Sequence, residues 1–306
     1  MWRLREGREL RLGGAAPPAV MGILNVTPDS FFDGGAHPGA ESAVAAARAM
    51  AGAGAWVIDV GGESTRPGAA RVAEHEQIAR VVPVIAALRA GEVRGPDGSP
   101  VLVTVDTTRA AVAEAALAAG ADAINDVSAG LDDAGMLELA GRRGCGIVLM
   151  HRLTEPARDS YSDRYARPPE YAGGGVVPAV AEFLAERARA ALAAGVGAPG
   201  IVLDPGLGFG KTVEQNLALI RRTGELARLG YPVLSGLSRK SFTGRAGGLG
   251  AGSAPGERLG ATIALTLEHA RAGAAIFRVH DVGPVVQALV AARRVWGCAE
   301  LDQGPA

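Results

Sequence analysis

The stretch GIVLDPGLGFGKT (200–212) joins a short apolar run to a glycine-rich turn that ends in Gly-Lys-Thr. The run predicts a strand buried on both faces, and Asp204 is the first polar residue after it. The ending matches part of a Walker A phosphate loop, which needs glycine five positions before Gly210 so that backbone N–H groups can surround the phosphates. That position is Pro205, which has no N–H and a fixed φ. A nucleotide phosphate loop is therefore excluded.

The same unit of apolar strand, turn and alanine-rich helix recurs along the chain. The predicted strands are AVMGILN (19–25), AWVIDV (55–60), VLVTVD (101–106), DAIND (122–126), GIVLM (146–150), GIVLD (200–204), PVLSG (232–236) and AAIFRV (274–279). Near-continuous apolar strands that alternate with amphipathic helices are typical of a parallel sheet covered by helices. Eight such units in about 250 residues, without a break in composition, predict an α/β fold of the (β/α)8 TIM barrel type in a single domain.

Two segments stand outside this repeating pattern. WRLREGREL (2–10) predicts a short N-terminal hairpin with Glu-Gly at its turn, which closes the bottom of the barrel. We therefore expect a hairpin segment over 1–18, the barrel over 19–298 and a disordered tail over 299–306. The polar stretch 151–175 is too long for an ordinary connection, which predicts either a functional loop or a disordered one.

Composition limits the class of protein. Of the 306 residues, 48% are hydrophobic and 21% are charged, which is typical of a globular protein, and the net charge of -1 gives no field that attracts nucleic acid or an anionic membrane. Cys145 and Cys298 are far apart and in no Cys-x-x-Cys spacing, which argues against a disulfide scaffold or a zinc site. The charged amino terminus contains no apolar region of a signal peptide. We expect a cytoplasmic protein without nucleic-acid or membrane partners.

Nearly every predicted strand ends in a polar side chain. These residues are Asn25, Asp59, Asp106, Asn125, His151, Asp204, Ser238, Lys240, Arg278 and His280. Helix capping explains a single Asp or Asn after a strand. It does not explain Lys240, Arg278 or His280. Because the carboxyl ends of barrel strands meet at one face, we expect the chemistry of the protein to lie there.

Other catalytic motifs fail at named positions. GLSRK would be a nucleophile elbow only with glycine after Arg239, where the chain has Lys240. HEQIA would be a zincin helix only with His at position 79, which is Ala79. The first strand is not followed by Gly-x-Gly-x-x-Gly, so a dinucleotide-binding fold is not supported.

Eight blocks of the sequence, one at each predicted strand end, resemble the dihydropteroate synthase family. They are MGILNVTPDSFFDGG (21–35), IDVGGESTRPGA (58–69), VDTTR (105–109), AINDVSAG (123–130), LMH (149–151), DPGLGFGKT (204–212), GLSRKSF (236–242) and RVHDV (278–282). Each block alone is weak, whereas the ordered set is highly specific. The resemblance implies an enzyme that joins dihydropterin hydroxymethyl pyrophosphate to p-aminobenzoate, releases pyrophosphate and makes dihydropteroate for folate.

The resemblance also assigns substrate contacts. It implies that the pterin is held by Asp106, Asn125, Asp204, Lys240 and Arg278, which suits a ring edge with several N–H donors and one carbonyl acceptor. It implies a pyrophosphate site of Asn25, Arg278 and His280, in which Asn25 is a ligand of Mg²⁺. Helix capping remains the alternative role for Asn25.

The first two loops are implied to cover the reaction and to bind p-aminobenzoate. The aminobenzoate pocket is carried over to Phe31, Thr65, Arg66, Pro67 and Ser238, while Asp33 orders the closed loops. The residues implied in catalysis are Asp33, Asp106, Asp204, Lys240 and Arg278. Plain surface turns are the alternative reading of both loops.

One region departs from the family pattern and leaves alternatives open. After LMH the family continues with a short Met-Gln-Gly-type turn, whereas here a long polar segment follows, in which Tyr161, Arg164 and Tyr165 either reach the mouth of the site or are solvated. We expect His151 to be structural rather than catalytic. A pterin-dependent methyltransferase and a pterin-binding protein without turnover are the rival functions, and a homodimer is expected from the family alone.

Overall fold

The computed structural model describes residues 1–13, 16–26, 38–91 and 93–297. Eight parallel strands close into a barrel in the order β10-β3-β4-β5-β6-β7-β8-β9. They are β3 (Ala19–Asn25), β4 (Val57–Gly61), β5 (Leu102–Asp106), β6 (Ala123–Asp126), β7 (Gly146–Met150), β8 (Ile201–Asp204), β9 (Val233–Ser235) and β10 (Ala274–Val279). The predicted TIM barrel is confirmed.

Helices follow the strands and cover the outside of the barrel. They are α1 (Pro38–Gly52), α2 (Glu74–Ala90), α3 (Ala110–Ala118), α4 (Met136–Arg143), α5 (Val176–Ala193), α6 (Val213–Arg221), α7 (Thr223–Ala227), α8 (Ser241–Ala246), α9 (Leu259–Arg271) and α10 (Val282–Val295). Outward strand residues such as Ile58, Val103 and Ile147 pack with the helices in the large apolar core. Both faces of each strand are therefore buried, which explains why the strands are almost continuously apolar.

The amino terminus closes one end of the barrel, as predicted. Strands β1 (Trp2–Arg3) and β2 (Glu9–Leu10) form an antiparallel hairpin, with Glu6 and Gly7 in left-handed conformation at its turn. Trp2 is fully buried and donates from Nε1 to the Gly200 carbonyl oxygen at 2.9 Å. Trp2 and Leu10 pack with the inward residues at the amino ends of the barrel strands. The opposite, carboxyl end is thus left for the site.

Several expectations fall on residues outside the described ranges. Phe31, Asp33, Cys298 and the segment 299–306 are among them, so nothing is added to those predictions. The division into 1–18, 19–298 and 299–306 likewise stays a prediction. Among the described residues, no helix has both the length and the apolar character that crossing a membrane requires.

Candidate active site

The predicted site residues lie in layers at the carboxyl end of the barrel. Because side chains of a strand alternate in direction, the positions two residues beyond the apolar lower layer also point inward. These inward positions are Asp59, Thr104, Asn125, Met150, Asp204 and Arg278. Asn25, Gly61 and Asp106 follow one step higher, and the register pairs Asn25 with Gly61 and Gly61 with Asp106. The polar residues therefore gather where the apolar core of the barrel ends.

Asp59 is the centre of the hydrogen-bond network in this layer. It is completely buried, and its Oδ2 accepts from Arg278 Nε at 2.6 Å and from Asn125 Nδ2 at 3.0 Å. Its Oδ1 accepts from the Thr104 hydroxyl. Since a carboxylate only accepts, the contact fixes which end of the Asn125 amide faces Asp59 and leaves the amide oxygen for the lumen. Asp59 cannot reach a ligand, so it positions the residues that do.

Three acceptor oxygens at this end have no donor among the described residues. Arg278 Nη2 donates to Asp106 Oδ2 at 2.6 Å, and the Gly206 amide donates to Asp204 Oδ1 at 2.7 Å. This leaves Asp106 Oδ1, Asp204 Oδ2 and the Asn125 amide oxygen without donors in the described part of the chain. None of the three is among the fully buried side-chain atoms that lack a partner in the described ranges, so they are open to the lumen, where a ligand or water can donate to them. The arrangement suits a ligand edge that presents several N–H groups.

Lys240 adds a cation beside these acceptors. Its ammonium donates to the Leu207 carbonyl oxygen and lies 4.2 Å from the centre of the Phe209 ring. Phe209 in turn forms a small apolar cluster with Val127 and Met150 at the same end of the barrel. A donor and an apolar surface therefore stand next to the acceptors, as a flat heteroaromatic ligand requires.

Burial perturbs the charged groups of the site. It raises the pKa of Asp106 to about 7, against the opposing effect of Arg278. It raises the pKa of Asp204 against the effect of Lys240, and it lowers the pKa of Lys240 to about 8 although Asp204 favours the cation. Burial thus outweighs the nearby cations in setting the pKa of both carboxylates, and such shifts cluster at functional sites.

The loops after β9 and β10 meet through Ser238 and His280. The Ser238 Oγ atom lies 3.1 Å from His280 Nδ1 and accepts from the His280 backbone N–H at 3.2 Å. In the tautomer in which the Ser238 hydroxyl donates to Nδ1, the His280 Nε2 carries the proton and is a donor. Burial, with Arg278 nearby, lowers the pKa of His280 to about 4, so the ring is neutral at physiological pH.

Asn25 stands at the rim beside Asp106. A Cβ atom on Gly61 would lie 3.6 Å from Asn25 Oδ1 and 3.8 Å from Asp106 Oδ2, so the two oxygens flank this glycine. Within the described ranges, no group of three or more His, Cys, Asp and Glu side chains is placed to hold a metal ion. A cation at Asn25 would therefore take further oxygen ligands from a substrate or water, which suits Mg²⁺.

The loop after β4 brings Thr65 to the same face. Thr65 lines a cavity of about 20 Å³ together with Asp106, whereas the Arg66 side chain is exposed to solvent and Pro67 lies next to it. The structure thus groups eight predicted site residues at the carboxyl end of the strands. They are Asn25, Asp106, Asn125, Asp204, Ser238, Lys240, Arg278 and His280.

His151 lies below the rim, and its backbone N–H donates to the Asp204 carbonyl oxygen at 3.0 Å, while its ring faces Lys211. The Lys211 ammonium is fully buried and lies 3.0 Å from His151 Nδ1, and it donates to the carbonyl oxygens of Gly206 and Phe209 at 3.0 and 2.8 Å. Burial lowers the pKa of His151 to about 2, so the ring stays neutral. This placement agrees with a structural role, in which Lys211 and His151 hold the glycine-rich turn.

The sequence places Asp59 at the end of a strand without a specific role, and it does not assign Lys211 to the site. Asp59 is the single charged residue in its strand, which indicates a polar role. How deep its side chain lies in the barrel depends on the strand register, which the sequence does not give. Lys211 belongs to the Gly-Lys-Thr ending of the block DPGLGFGKT, and no local pattern indicates that its ammonium folds back onto backbone carbonyl groups.

Comparison with known proteins agrees with this geometry. A family model described as "Pterin binding enzyme" matches residues 21–280. Dihydropteroate synthase from Streptococcus pyogenes serotype M3 is 44% identical over 264 residues, which are 86% of this chain and 90% of the relative. A solved Xanthomonas albilineans dihydropteroate synthase with 4-aminobenzoic acid superimposes with a TM-score of 0.79 at 41% identity, over 92% of this chain and 93% of that one.

A longer relative contains the same unit. The Haloferax volcanii protein named "Probable bifunctional folylpolyglutamate synthase/dihydropteroate synthase" is 46% identical over 271 residues, which are 89% of this chain, and this chain spans 30% of its length. The family match spans most of the barrel, and the Streptococcus relative aligns over nearly its whole length. This chain belongs to the pterin-binding enzymes and, among them, to the dihydropteroate synthase family.

Proposed function

We propose that this chain condenses 7,8-dihydropterin-6-ylmethyl diphosphate with 4-aminobenzoate to give dihydropteroate and pyrophosphate. The observation that supports it most directly is the set of oxygens on Asp106, Asn125 and Asp204 that accept from no donor in the described ranges and stand beside the Lys240 ammonium. A dihydropterin edge offers N–H donors to the three oxygens and a carbonyl oxygen to Lys240. Each polar group that binding buries without a partner would cost about 1–3 kcal/mol. The pocket therefore favours a ring whose donors and acceptor pair with these oxygens and with Lys240.

The apolar and cationic neighbours complete the proposed pterin pocket. Val127, Met150 and Phe209 form an apolar cluster against which the flat ring can lie. The guanidinium of Arg278 is held by Asp59 and Asp106, and its Nη1 has no partner among the described residues. Arg278 therefore keeps N–H groups for a diphosphate oxygen while its plane stays fixed against the ring.

The proposed reaction breaks one C–O bond and forms one C–N bond. Loss of pyrophosphate leaves a methylene cation conjugated with the dihydropterin, and the Asp106 and Asp204 carboxylates stabilise that charge. The neutral aniline nitrogen of 4-aminobenzoate then adds to the methylene carbon and releases a proton. An aniline is already nucleophilic, so the residues mainly orient the two substrates and stabilise charge.

Groups at the rim hold the departing diphosphate in this proposal. His280 is neutral at physiological pH and donates from Nε2, and Arg278 supplies positive charge. Asn25 Oδ1 would hold Mg²⁺, which supplies charge neutralisation to the diphosphate when bound. Thr65, Arg66, Pro67 and Ser238, with Phe31, would hold the aminobenzoate, and Asp33 would help the first loop exclude water that could intercept the cation.

The test is a reconstitution with the purified protein, Mg²⁺, the pterin diphosphate and 4-aminobenzoate, followed by chromatography for dihydropteroate. Product that depends on all components supports the proposal. Pterin binding without product would instead indicate a binding protein without turnover, and pterin-dependent methyl transfer to a corrinoid would indicate the methyltransferase function. Omitting Mg²⁺ or adding EDTA separately tests the metal.

We further propose that the protein is a homodimer, an expectation that rests on the family alone. Sedimentation equilibrium on the full chain measures the mass directly. A particle of twice the 31.0 kDa chain mass supports the dimer, and a monomer over the micromolar range contradicts it.

A further inference from the structure

The segment 152–175, which follows β7, is anchored on the glycine-rich turn after β8. The Gly210 amide donates to Asp159 Oδ2 at 2.8 Å, and the Tyr171 hydroxyl donates to the Gly210 carbonyl oxygen at 2.6 Å. The peptide groups on both sides of Gly210 are thus held by the segment, the one before it by Asp159 and the one after it by Tyr171. Gln215 Nε2 adds a contact of 2.7 Å to the Pro169 carbonyl oxygen.

Close packing at Gly210 shows how firmly the segment is seated. A Cβ on this glycine, whose φ is +66°, would lie 2.4 Å from the Leu153 Cβ. Only glycine allows this approach. Tyr161, Arg164 and Tyr165 contact each other or the segment itself: Arg164 lies over the Tyr161 ring at 5.1 Å, and Tyr165 donates to Asp159. The segment therefore lies as a wall against the glycine-rich turn, while Arg164 is exposed and Tyr161 and Tyr165 are half-buried.

The same wall contacts the loop that follows β4. We call residues 62–72 the aminobenzoate loop, after its proposed role. Its base is closed by the Val72 amide, which donates to Glu63 Oε1 at 2.5 Å. Near its tip, the Gly68 amide donates to the Pro156 carbonyl oxygen at 3.0 Å. A cavity of about 20 Å³, lined by Thr65, Asp106 and Pro156 among others, lies between the loop and the wall.

Asp132, which follows β6, ties the loop and the wall together. Its Oδ2 accepts from Arg71 Nη2 of the aminobenzoate loop at 2.9 Å, and its Oδ1 accepts from Arg152 of the wall. Arg71 also lies 3.6 Å from Glu155 of the wall. The Asp132–Arg152 pair is better shielded than a surface pair, with side chains 14% and 9% exposed, whereas the Arg71 side chain is 34% exposed.

We propose that Asp132 is a positioning residue for the aminobenzoate subsite: it docks the aminobenzoate loop against the segment 152–175 and so presets the pocket for the second substrate. The inference rests on the proposed function, because it assumes that Thr65, Arg66 and Pro67 contact 4-aminobenzoate. Asp132 itself touches no substrate. A docked loop binds the second substrate without first being ordered, which lowers the cost of binding.

The test compares wild type with Asp132→Asn, which keeps the shape but removes the charge, and with Arg71→Met, which removes the contact from the side of the loop. We expect the KM for 4-aminobenzoate to rise about fivefold in each variant, as for coupled ion pairs of this kind. The KM for the pterin diphosphate and kcat stay within about twofold, since the pterin pocket is untouched. Hydrogen exchange at the Gly68 amide becomes faster in both.

A matched control removes an ion pair away from the site. Glu114 and Arg143 join α3 to α4 at 2.9 Å, and Glu114→Gln is expected to change neither the aminobenzoate KM nor Gly68 exchange. The inference is overturned if both site variants keep the wild-type aminobenzoate KM, or if the pterin KM rises as much. Hydrogen exchange needs no turnover, so it tests the docking separately from the activity. An inactive wild type would reject the proposed function. Unchanged exchange of the Gly68 amide in both site variants would reject the docking itself.

Discussion

Arg278 donates from Nε to Asp59 Oδ2 at 2.6 Å, and this contact joins the last strand of the barrel to the second. Strands β10 and β4 are separated by β3 in the barrel order, so the pair crosses the lumen. It sets the plane of the guanidinium that we place against the pterin. Because the same carboxylate also holds Asn125, one buried acid orders two of the five proposed pterin residues.

Asp59→Ala is therefore expected to damage both stability and pterin binding. Removing Asp59 leaves Arg278 with Asp106 as its remaining carboxylate partner, and the lost hydrogen bond between charged groups costs about 1.5–3 kcal/mol. Urea unfolding measures the loss, and titration with a pterin measures binding. As a control, Glu225→Gln breaks the solvent-exposed pair with Arg222 and is expected to leave the midpoint unchanged. Wild-type pterin affinity in Asp59→Ala would contradict the positioning role.

Lys240→Ala and Asp204→Ala are each expected to cripple pterin binding. Each removes a hydrogen bond to a charged group, worth about 1.5–3 kcal/mol, which corresponds to roughly tenfold to more than a hundredfold in affinity. Calorimetric titration of the pterin in the absence of aminobenzoate measures this directly. Asp33→Ala, on the resemblance to the family, is expected to slow turnover and leave pterin affinity near that of wild type. Unchanged pterin affinity in Asp204→Ala would reject the proposed pocket.

The barrel could be predicted from the sequence because its strands are buried on both faces. A parallel strand under helices is apolar at every position, so each run is visible by itself, and β3, β7 and β10 have the predicted bounds. The ends of the strands could be predicted for the same reason, since the first polar residue marks where burial stops. This places Asp106, Asn125, Asp204 and Arg278 at one face without any knowledge of contacts.

Depth within the lumen could not be predicted in this way. Asp59 and Asp106 both come near the end of an apolar run, yet the register pairs Asp59 with Thr104 and Gly61 with Asp106. Asp59 therefore lies one layer deeper, where it holds other residues instead of a ligand. Register depends on the stagger of neighbouring strands, which a single run does not contain. The contacts of Asp132 and Pro156 with the aminobenzoate loop are likewise tertiary.

Gly206→Ala is expected to destabilise the glycine-rich turn and weaken pterin binding. Gly206 has a φ of +66°, and a Cβ there would lie 1.7 Å from the His151 carbonyl oxygen. The left-handed conformation alone costs about 1–2 kcal/mol, and the clash adds about 1–3 kcal/mol by shifting the backbone. Such a shift moves the amide that donates to Asp204 Oδ1 at 2.7 Å.

Gly230→Ala is the matched control for this substitution. Gly230 has a φ of +88° with no atom within 4 Å of the Cβ position, so only the conformational cost remains. Thermal or urea unfolding of the two variants separates close approach from backbone conformation. Equal losses of stability, with pterin affinity retained in Gly206→Ala, would show that the turn tolerates a side chain at this position.

His269 is expected to make the stability of the fold depend on pH below neutrality. The ring is fully buried between α9 and the barrel, its Nδ1 lies 2.8 Å from Ser235 Oγ, and burial lowers its pKa to about 3. The unfolded chain takes up a proton near pH 6.5 while the folded chain does not, so this contribution to stability is complete above pH 6.5 and is lost as the pH falls towards 3.

The comparison of wild type with His269→Gln isolates this group, because Gln can bond to Ser235 but does not titrate. Other buried acids and bases are common to both proteins and cancel in the difference. Between about pH 6 and pH 4, the free energy of unfolding of wild type should fall relative to the variant by about 1.4 kcal/mol per pH unit, the value for one proton. Urea unfolding at pH 7, about 6 and about 5 covers the start of this window. Parallel pH profiles would mean that His269 is protonated in the folded protein and that its site is wetter than the structure indicates.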